Sequence, residues 1–117
     1  MLVVDDEEAV RRLASRMLTW AGYQALEASH GREALATIEE HEGPVHLVLT
    51  DIKMPGMNGY QLVDASLALR PELKVMLMTG YTQDPLPKKI SDAGIPLLQK
   101  PFDFEALPKL VQESLSR

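Results

Sequence analysis

Asp5 and Asp6 follow the apolar run at residues 1–4, Asp51 follows the run at 46–50, Thr79 closes the run at 74–79, and Lys100 follows the short run at 96–99. Each of these polar residues stands at the carboxyl end of a strand-sized segment. In open parallel sheets, ligands bind just outside those ends, where the strand order reverses. Three carboxylates, one hydroxyl and one ammonium would therefore share one edge. Acids so close together repel, and each raises the others' pKa unless a cation intervenes. A hard divalent ion such as Mg2+ (or Mn2+) suits an oxygen-only site of one or two carboxylates plus water. Lys100 adds neutralisation and can hold a phosphoryl oxygen, and the Thr79 hydroxyl can donate to another. The set is suited to an anion beside a metal, with phosphate the obvious candidate.

Taken singly, each residue has a plainer role. Asp5 or Asp6 can cap a helix, Asp51 can open the turn that holds Pro55, Gly56 and Gly59, Thr79 can end a strand, and Lys100 can be solvated. Joint placement at four strand ends outweighs those readings. His30, His41 and His46 show no metal spacing, Met17, Met54, Met57, Met76 and Met78 read as core or loop filler, and Glu39, Glu40 and Glu42 read as a solvated helix end.

The elements that must position these groups alternate along the chain. After the strand at 1–4, Val10, Leu13, Met17 and Trp20 recur at helical period over 7–20, with Asp6 as the expected N-cap, Trp20 packed at the helix end and Gly22 as the stop. A second strand is expected at 23–28, then a helix at 31–41 capped by Ser29 and broken by Gly43-Pro44. The third strand, 46–50, is continuously apolar and so buried. The loop 51–59 leads to a helix carrying Leu62, Val63, Leu67 and Leu69. After the fourth strand, Pro85 and Pro87 delay a short helix to about Lys88, which Gly94 closes. The fifth strand precedes a last helix, capped by Asp103 and carrying Leu107, Leu110, Val111 and Leu115, in which Pro108 predicts a kink or a tight first turn. Five strands separated by helices make a parallel sheet covered on both faces, a three-layer α/β fold.

The 117 residues amount to one domain, and 45% apolar with 25% charged residues is the balance of a globular core. A net charge of −5 disfavours direct binding to nucleic acid or to an acidic membrane surface. The absence of cysteine excludes disulfides, thiolate metal sites and cysteine nucleophiles, and fits a reducing cytoplasm. No apolar run approaches the roughly 18 residues of a membrane span. The chain opens inside a strand without signal-peptide features, which points to a piece of a longer protein or a chain trimmed close to its first strand.

Val3-Val4-Asp5-Asp6-Glu7, the run Leu49-Thr50-Asp51-Ile52-Lys53-Met54-Pro55-Gly56-Met57-Asn58-Gly59, Met78-Thr79-Gly80 and Lys100-Pro101-Phe102 together resemble response-regulator receiver domains, in order and across essentially the whole chain. The resemblance implies a doubly wound, flavodoxin-like sheet of order 2-1-3-4-5. It implies that Asp51 accepts a phosphoryl group from a phosphohistidine, so that the partners are a histidine kinase or histidine phosphotransfer protein and a downstream protein target. Asp6, Asp51 and the backbone carbonyl of Lys53 would ligate Mg2+, with Asp5 acting through water. Lys100 would pair with phosphoryl oxygens through a strand end closed by a cis bond to Pro101, and Thr79 would report the phosphoryl group. Gly80 and Tyr81 would set access, Tyr81 with Lys53 slowing attack by water. The family often carries an aromatic switch residue three positions before the lysine, where this chain has Leu97. The stretch Met78-Thr79-Gly80-Tyr81-Thr82 also resembles receivers appended to hybrid sensor histidine kinases.

The resemblance implies a domain that modifies itself and not an enzyme turning over a free substrate. A never-phosphorylated binding module of the same fold has no need of Lys100 or Thr79. An aspartyl phosphatase would want a second acid two residues after its nucleophile; Asp51 is followed there by Lys53, and Asp5 by Glu7, which is expected to start a helix and point away. A nucleotide or flavin site would want a glycine-rich loop after the first strand.

Overall fold

The three residues of β1 (Leu2–Val4) are wholly buried, as a central parallel strand flanked on both edges must be. The computed structural model describes residues 1–41, 45–80, 87–100 and 105–116. Along them run β1, α1 (Glu8–Trp20), β2 (Leu26–Ala28), α2 (Gly31–Glu40), β3 (Leu47–Asp51), α3 (Gly59–Leu69), β4 (Lys74–Thr79), α4 (Lys88–Asp92), β5 (Leu97–Gln99) and α5 (Ala106–Leu115). The strands form one parallel sheet in the order β2-β1-β3-β4-β5, as the resemblance implied.

Strand alternation divides the core in two. Leu2, Val4, Val48, Val75 and Leu77 pack with Ala34, Ile38, Leu62, Val63 and Ile90 of α2, α3 and α4. Val3, Leu47, Leu49, Met76, Met78 and Leu98 pack with Ala14, Met17, Leu18, Leu107 and Val111 of α1 and α5. The same alternation carries Asp5, Asp51 and Lys100, each two residues beyond Val3, Leu49 and Leu98, to the α1–α5 side of the strand ends.

Helix ends are set by local chemistry. At Gly22 (φ +100°), Tyr23 N–H donates to the Leu18 carbonyl and Gly22 N–H to that of Thr19, a Schellman closure. Tyr23 is thereby tied to α1, so β2 starts at Leu26 and not at residue 23. Asn58 and Gln61 form a reciprocal capping box at the start of α3. Pro108 sits in the first turn of α5, where its missing N–H has no intrahelical partner to lose.

Three further expectations need correction. Glu7, not Asp6, is the N-cap of α1, and it makes no side-chain cap bond. His30, not Ser29, caps α2: its Nδ1 accepts from Glu33 N–H at 3.2 Å, while Ser29 donates to the Glu33 carboxylate. The buried face of α1 is Ala14, Ser15, Met17 and Leu18, so Leu13 is 43% exposed and Trp20, expected to pack at the helix end, is 82% exposed. Asp103, Gly43-Pro44, Pro85, Tyr81 and the Lys100-Pro101 bond's partner residue lie outside the described residues.

Gly59 joins the fold to the site. It opens α3 with its N–H donating to the Ile52 carbonyl at 2.8 Å, and a Cβ there would fall 2.8 Å from Ile52 Cα and closer still to the Asp51 carbonyl oxygen. Backbone on both sides cannot yield cheaply. Gly59→Ala is expected to cost about 1–3 kcal/mol of stability, as overpacking does, read by urea unfolding.

Candidate functional site

Asp5 follows the last residue of β1, and every polar atom it has is engaged. Its N–H extends the ladder to the Ala28 carbonyl at 3.2 Å, and its carbonyl accepts from Arg11 Nη1 at 2.9 Å. Its Oδ1 accepts from Glu7 N–H at 2.9 Å, and its Oδ2 accepts from Lys100 Nζ at 2.9 Å. The residue has no exposed surface. A carboxylate buried to that degree is tolerable only with such partners.

Asp51 ends β3 beside it and is 7% exposed. Its Oδ1 accepts from Ile52 N–H at 3.0 Å and lies 3.4 Å from Lys100 Nζ. The Thr50 hydroxyl donates to the Asp51 carbonyl at 3.0 Å, holding the turn from behind. Asp6 is exposed, yet carboxylate oxygens of Asp5, Asp6 and Asp51 all lie within 4.8 Å of one another. Lys100, whose side chain is 12% exposed, is placed by its own N–H, which donates to the Thr79 carbonyl at 2.7 Å.

Burial, and after it the charge of Asp5, raises the Asp51 pKa above the ordinary 3.8 despite the opposing pull of Lys100 and of the Ile52 N–H. Burial disfavours the Lys100 ammonium, but its hydrogen bond to Asp5 and the charges of Asp5 and Asp51 outweigh that and raise its pKa. One ammonium thus serves two buried carboxylates and leaves negative charge over. A crowded, acceptor-only donor set with excess negative charge fits a hard divalent cation, and this acidic cluster could hold one.

Thr79, 8% exposed, ends β4 on the other side of the alternation, with Leu97 on the adjoining strand two pairs before it (Leu77 opposite Leu97, Thr79 opposite Gln99). Leu97 is 39% exposed. Gly80 is exposed, and among the described residues a Cβ there would meet nothing nearer than Lys100 Cδ at 3.9 Å. The Lys53 side chain is exposed. The structure therefore brings Asp5, Asp6, Asp51 and Lys100 into one cluster, with Thr79 at the neighbouring strand end; Tyr81 is outside the described residues.

Sequence reasoning did not single out Arg11 or Thr50. A basic residue one turn into the helix after Asp5-Asp6 was the available signal, but Arg11 and Arg12 are adjacent and alike, and only the phase of the helix separates them.

A family model for the response regulator receiver domain matches residues 1–112. The chain is 36% identical over 118 residues to the sensor kinase CckA of Brucella abortus, covering all of this chain but 12% of the kinase. It is 30% identical over 116 residues to sporulation initiation phosphotransferase F of Bacillus subtilis, covering 98% of this chain and 92% of that protein. A crystal structure of a response regulator receiver domain protein from Clostridium thermocellum superposes with a TM-score of 0.89 at 26% identity, covering 99% of this chain and 93% of that one. The chain belongs to the response regulator receiver domain family and is a receiver of two-component signal transduction. Domains of this family interact with histidine kinases and phosphotransfer proteins. Among the described residues no helix is long and apolar enough to cross a membrane.

An acid with a raised folded-state pKa weakens the fold as pH climbs, because the unfolded chain ionises first and the folded one must follow at higher pH. Ion-free protein should therefore lose stability from about the ordinary value of 3.8 upward through the raised pKa. Asp51→Asn removes that loss. Its thermal midpoint without divalent ions is expected to exceed the wild type's by a few degrees at neutral pH, the gap narrowing as the pH is lowered; melting curves across pH check this.

Proposed function

We propose that Asp51 accepts a phosphoryl group from the phosphohistidine of a histidine kinase or histidine phosphotransfer protein in a Mg2+-dependent (or Mn2+-dependent) step. The observation that carries this reading is the buried Asp51 carboxylate set 3.4 Å from Lys100 Nζ within a cluster of three acids. An Asp51 oxygen attacks phosphorus, the bond to the imidazole nitrogen breaks with its electron pair going to the ring, and an acyl phosphate results. Such a transfer needs in-line placement and charge neutralisation more than acid–base groups.

Asp6, Asp51 and the Lys53 carbonyl are the groups to hold the ion, with Asp5 behind them. When bound, the ion offsets charge on the equatorial phosphoryl oxygens. Lys100 stands between Asp5 and Asp51, so the incoming oxygens meet an ammonium already in place and little reorganisation is needed. Thr79 donates to a further phosphoryl oxygen, and its displacement is the signal. With Leu97 in the switch position, that signal reaches the β4–β5 edge as an aliphatic repacking and not as rotation of an aromatic ring. Gly80 keeps the approach open, and Tyr81 with Lys53 limits the entry of water.

Residues 1–117 act as one cytoplasmic receiver that modifies itself without turning over a free substrate. The output is a conformational change read by a downstream protein, with no direct contact to nucleic acid or membrane.

Intact-mass spectrometry after incubation with acetyl phosphate tests the reading. One divalent-ion-dependent phosphoryl adduct is expected on the wild type and none on Asp51→Asn, and Lys100→Met should slow its formation by roughly a hundredfold, the loss typical of one preorganised charge-stabilising group. An adduct that persists in Asp51→Asn, or none on folded wild type with any donor, contradicts it.

A further inference from the structure

The two adjacent arginines of α1 behave differently. Arg12 makes an i,i+4 pair with Glu8 at 2.7 Å, both side chains more than half exposed, an arrangement that contributes little. Arg11 turns inward with its side chain 16% exposed. Its Nε donates to Glu27 Oε1 on β2 at 3.1 Å, and its Nη1 donates to the Asp5 carbonyl at 2.9 Å. One planar guanidinium therefore ties α1, the edge strand β2 and the turn leaving β1.

The carbonyl it grips belongs to the peptide that links Asp5 to Asp6. Asp5 is otherwise fixed by its own N–H and both carboxylate oxygens. Asp6 is exposed and lies past the end of β1, so the plane of that peptide decides where its carboxylate points relative to Asp51. Peptide groups are rigid, and rotation of this one about its flanking bonds would swing Asp6 as a unit. Glu27 in turn holds the guanidinium at the angle that meets the carbonyl. An ammonium could reach one partner but would not hold both in a fixed plane.

We propose that Arg11, braced by Glu27, is a positioning residue that orients the Asp5–Asp6 peptide and so presets Asp6 for the divalent ion. This rests on the assignment of Asp6 and Asp51 as the ion's ligands. Arg11 touches neither ion nor phosphoryl group. Its effect belongs in ion affinity and in the order of the turn, not in the chemical step at saturating ion. Groups that orient metal ligands commonly change affinity by roughly 10–100-fold.

The test is calorimetric Mg2+ titration of the full chain, paired with amide hydrogen exchange at Glu7 in ion-free protein. Arg11→Gln is expected to weaken Mg2+ binding about tenfold and to speed exchange of the Glu7 N–H that donates to Asp5. Arg11→Lys and Glu27→Gln should fall between it and the wild type, and Arg12→Gln should match the wild type. The phosphorylation rate of Arg11→Gln should recover at saturating Mg2+. A folded Arg11→Gln with affinity within twofold of wild type and an equally protected Glu7 amide overturns the proposal. Should Arg11→Gln fail to fold, wild-type affinity in both Arg11→Lys and Glu27→Gln overturns it equally. Asp6→Asn separates the two levels. Ion binding that Asp6→Asn abolishes and Arg11→Gln leaves intact removes the role of Arg11 alone, whereas ion binding unaffected by Asp6→Asn, or absent from the wild type, removes the ligand assignment and this role with it.

Discussion

The Asp5 carboxylate is a charge with no access to water, and the site is arranged around satisfying it. A lone buried carboxylate would cost several kcal/mol or take up a proton. Here the carboxylate is partnered by bringing Lys100 from the end of β5 to 2.9 Å, across two intervening strands, and by turning the Glu7 N–H back onto Oδ1. Those contacts fix the end of β1, the entry of α1 and the direction of the lysine. Asp51 then falls beside an ammonium already committed to another acid, which is why burial and Asp5 can raise its pKa in spite of Lys100.

This is a site held short of electrostatic balance. An apolar replacement of the pair could pack as well or better, but it would leave nothing to receive added positive charge or a phosphoryl group. The imbalance sits at the carboxyl ends of the strands, while the two hydrophobic clusters on either face of the sheet supply the rigidity that holds the acids in place. The β3–α3 connection contributes through Gly59, where α3 approaches the backbone of Asp51 and Ile52 with no room for a side chain.

Much of this was legible in the sequence because it depends on period and polarity. Mostly apolar runs named the strands, and once their alternation with helices implied a parallel sheet, the polar residues ending them named Asp5, Asp6, Asp51, Thr79 and Lys100. The strand order came from the family resemblance and not from the pattern, since alternation says nothing about which strand lies beside which. Quantities that turn on a single residue or a fraction of a helical turn were misread. Asp6 and Ser29 are good caps by type, but the chain enters each helix one residue later, at Glu7 and His30. Val10, Leu13, Met17 and Trp20 have helical spacing, yet α1 is rotated so that Ala14 and Leu18 take the buried face with Met17. The same rotation turns Arg11 inward and Arg12 outward, a distinction that two identical neighbours cannot announce.

The central claim is that the site rests on the buried Asp5–Lys100 pair, and a double-mutant cycle on ion-free stability tests it most directly. Lys100→Met alone is expected to destabilise by roughly 3–5 kcal/mol, as stranding a buried charge does. Asp5→Asn in the Lys100→Met background should recover a large part of that, giving a coupling of more than about 1 kcal/mol. Single-mutant effects that simply add, within about 0.5 kcal/mol, would contradict the account and make the pair incidental to the fold.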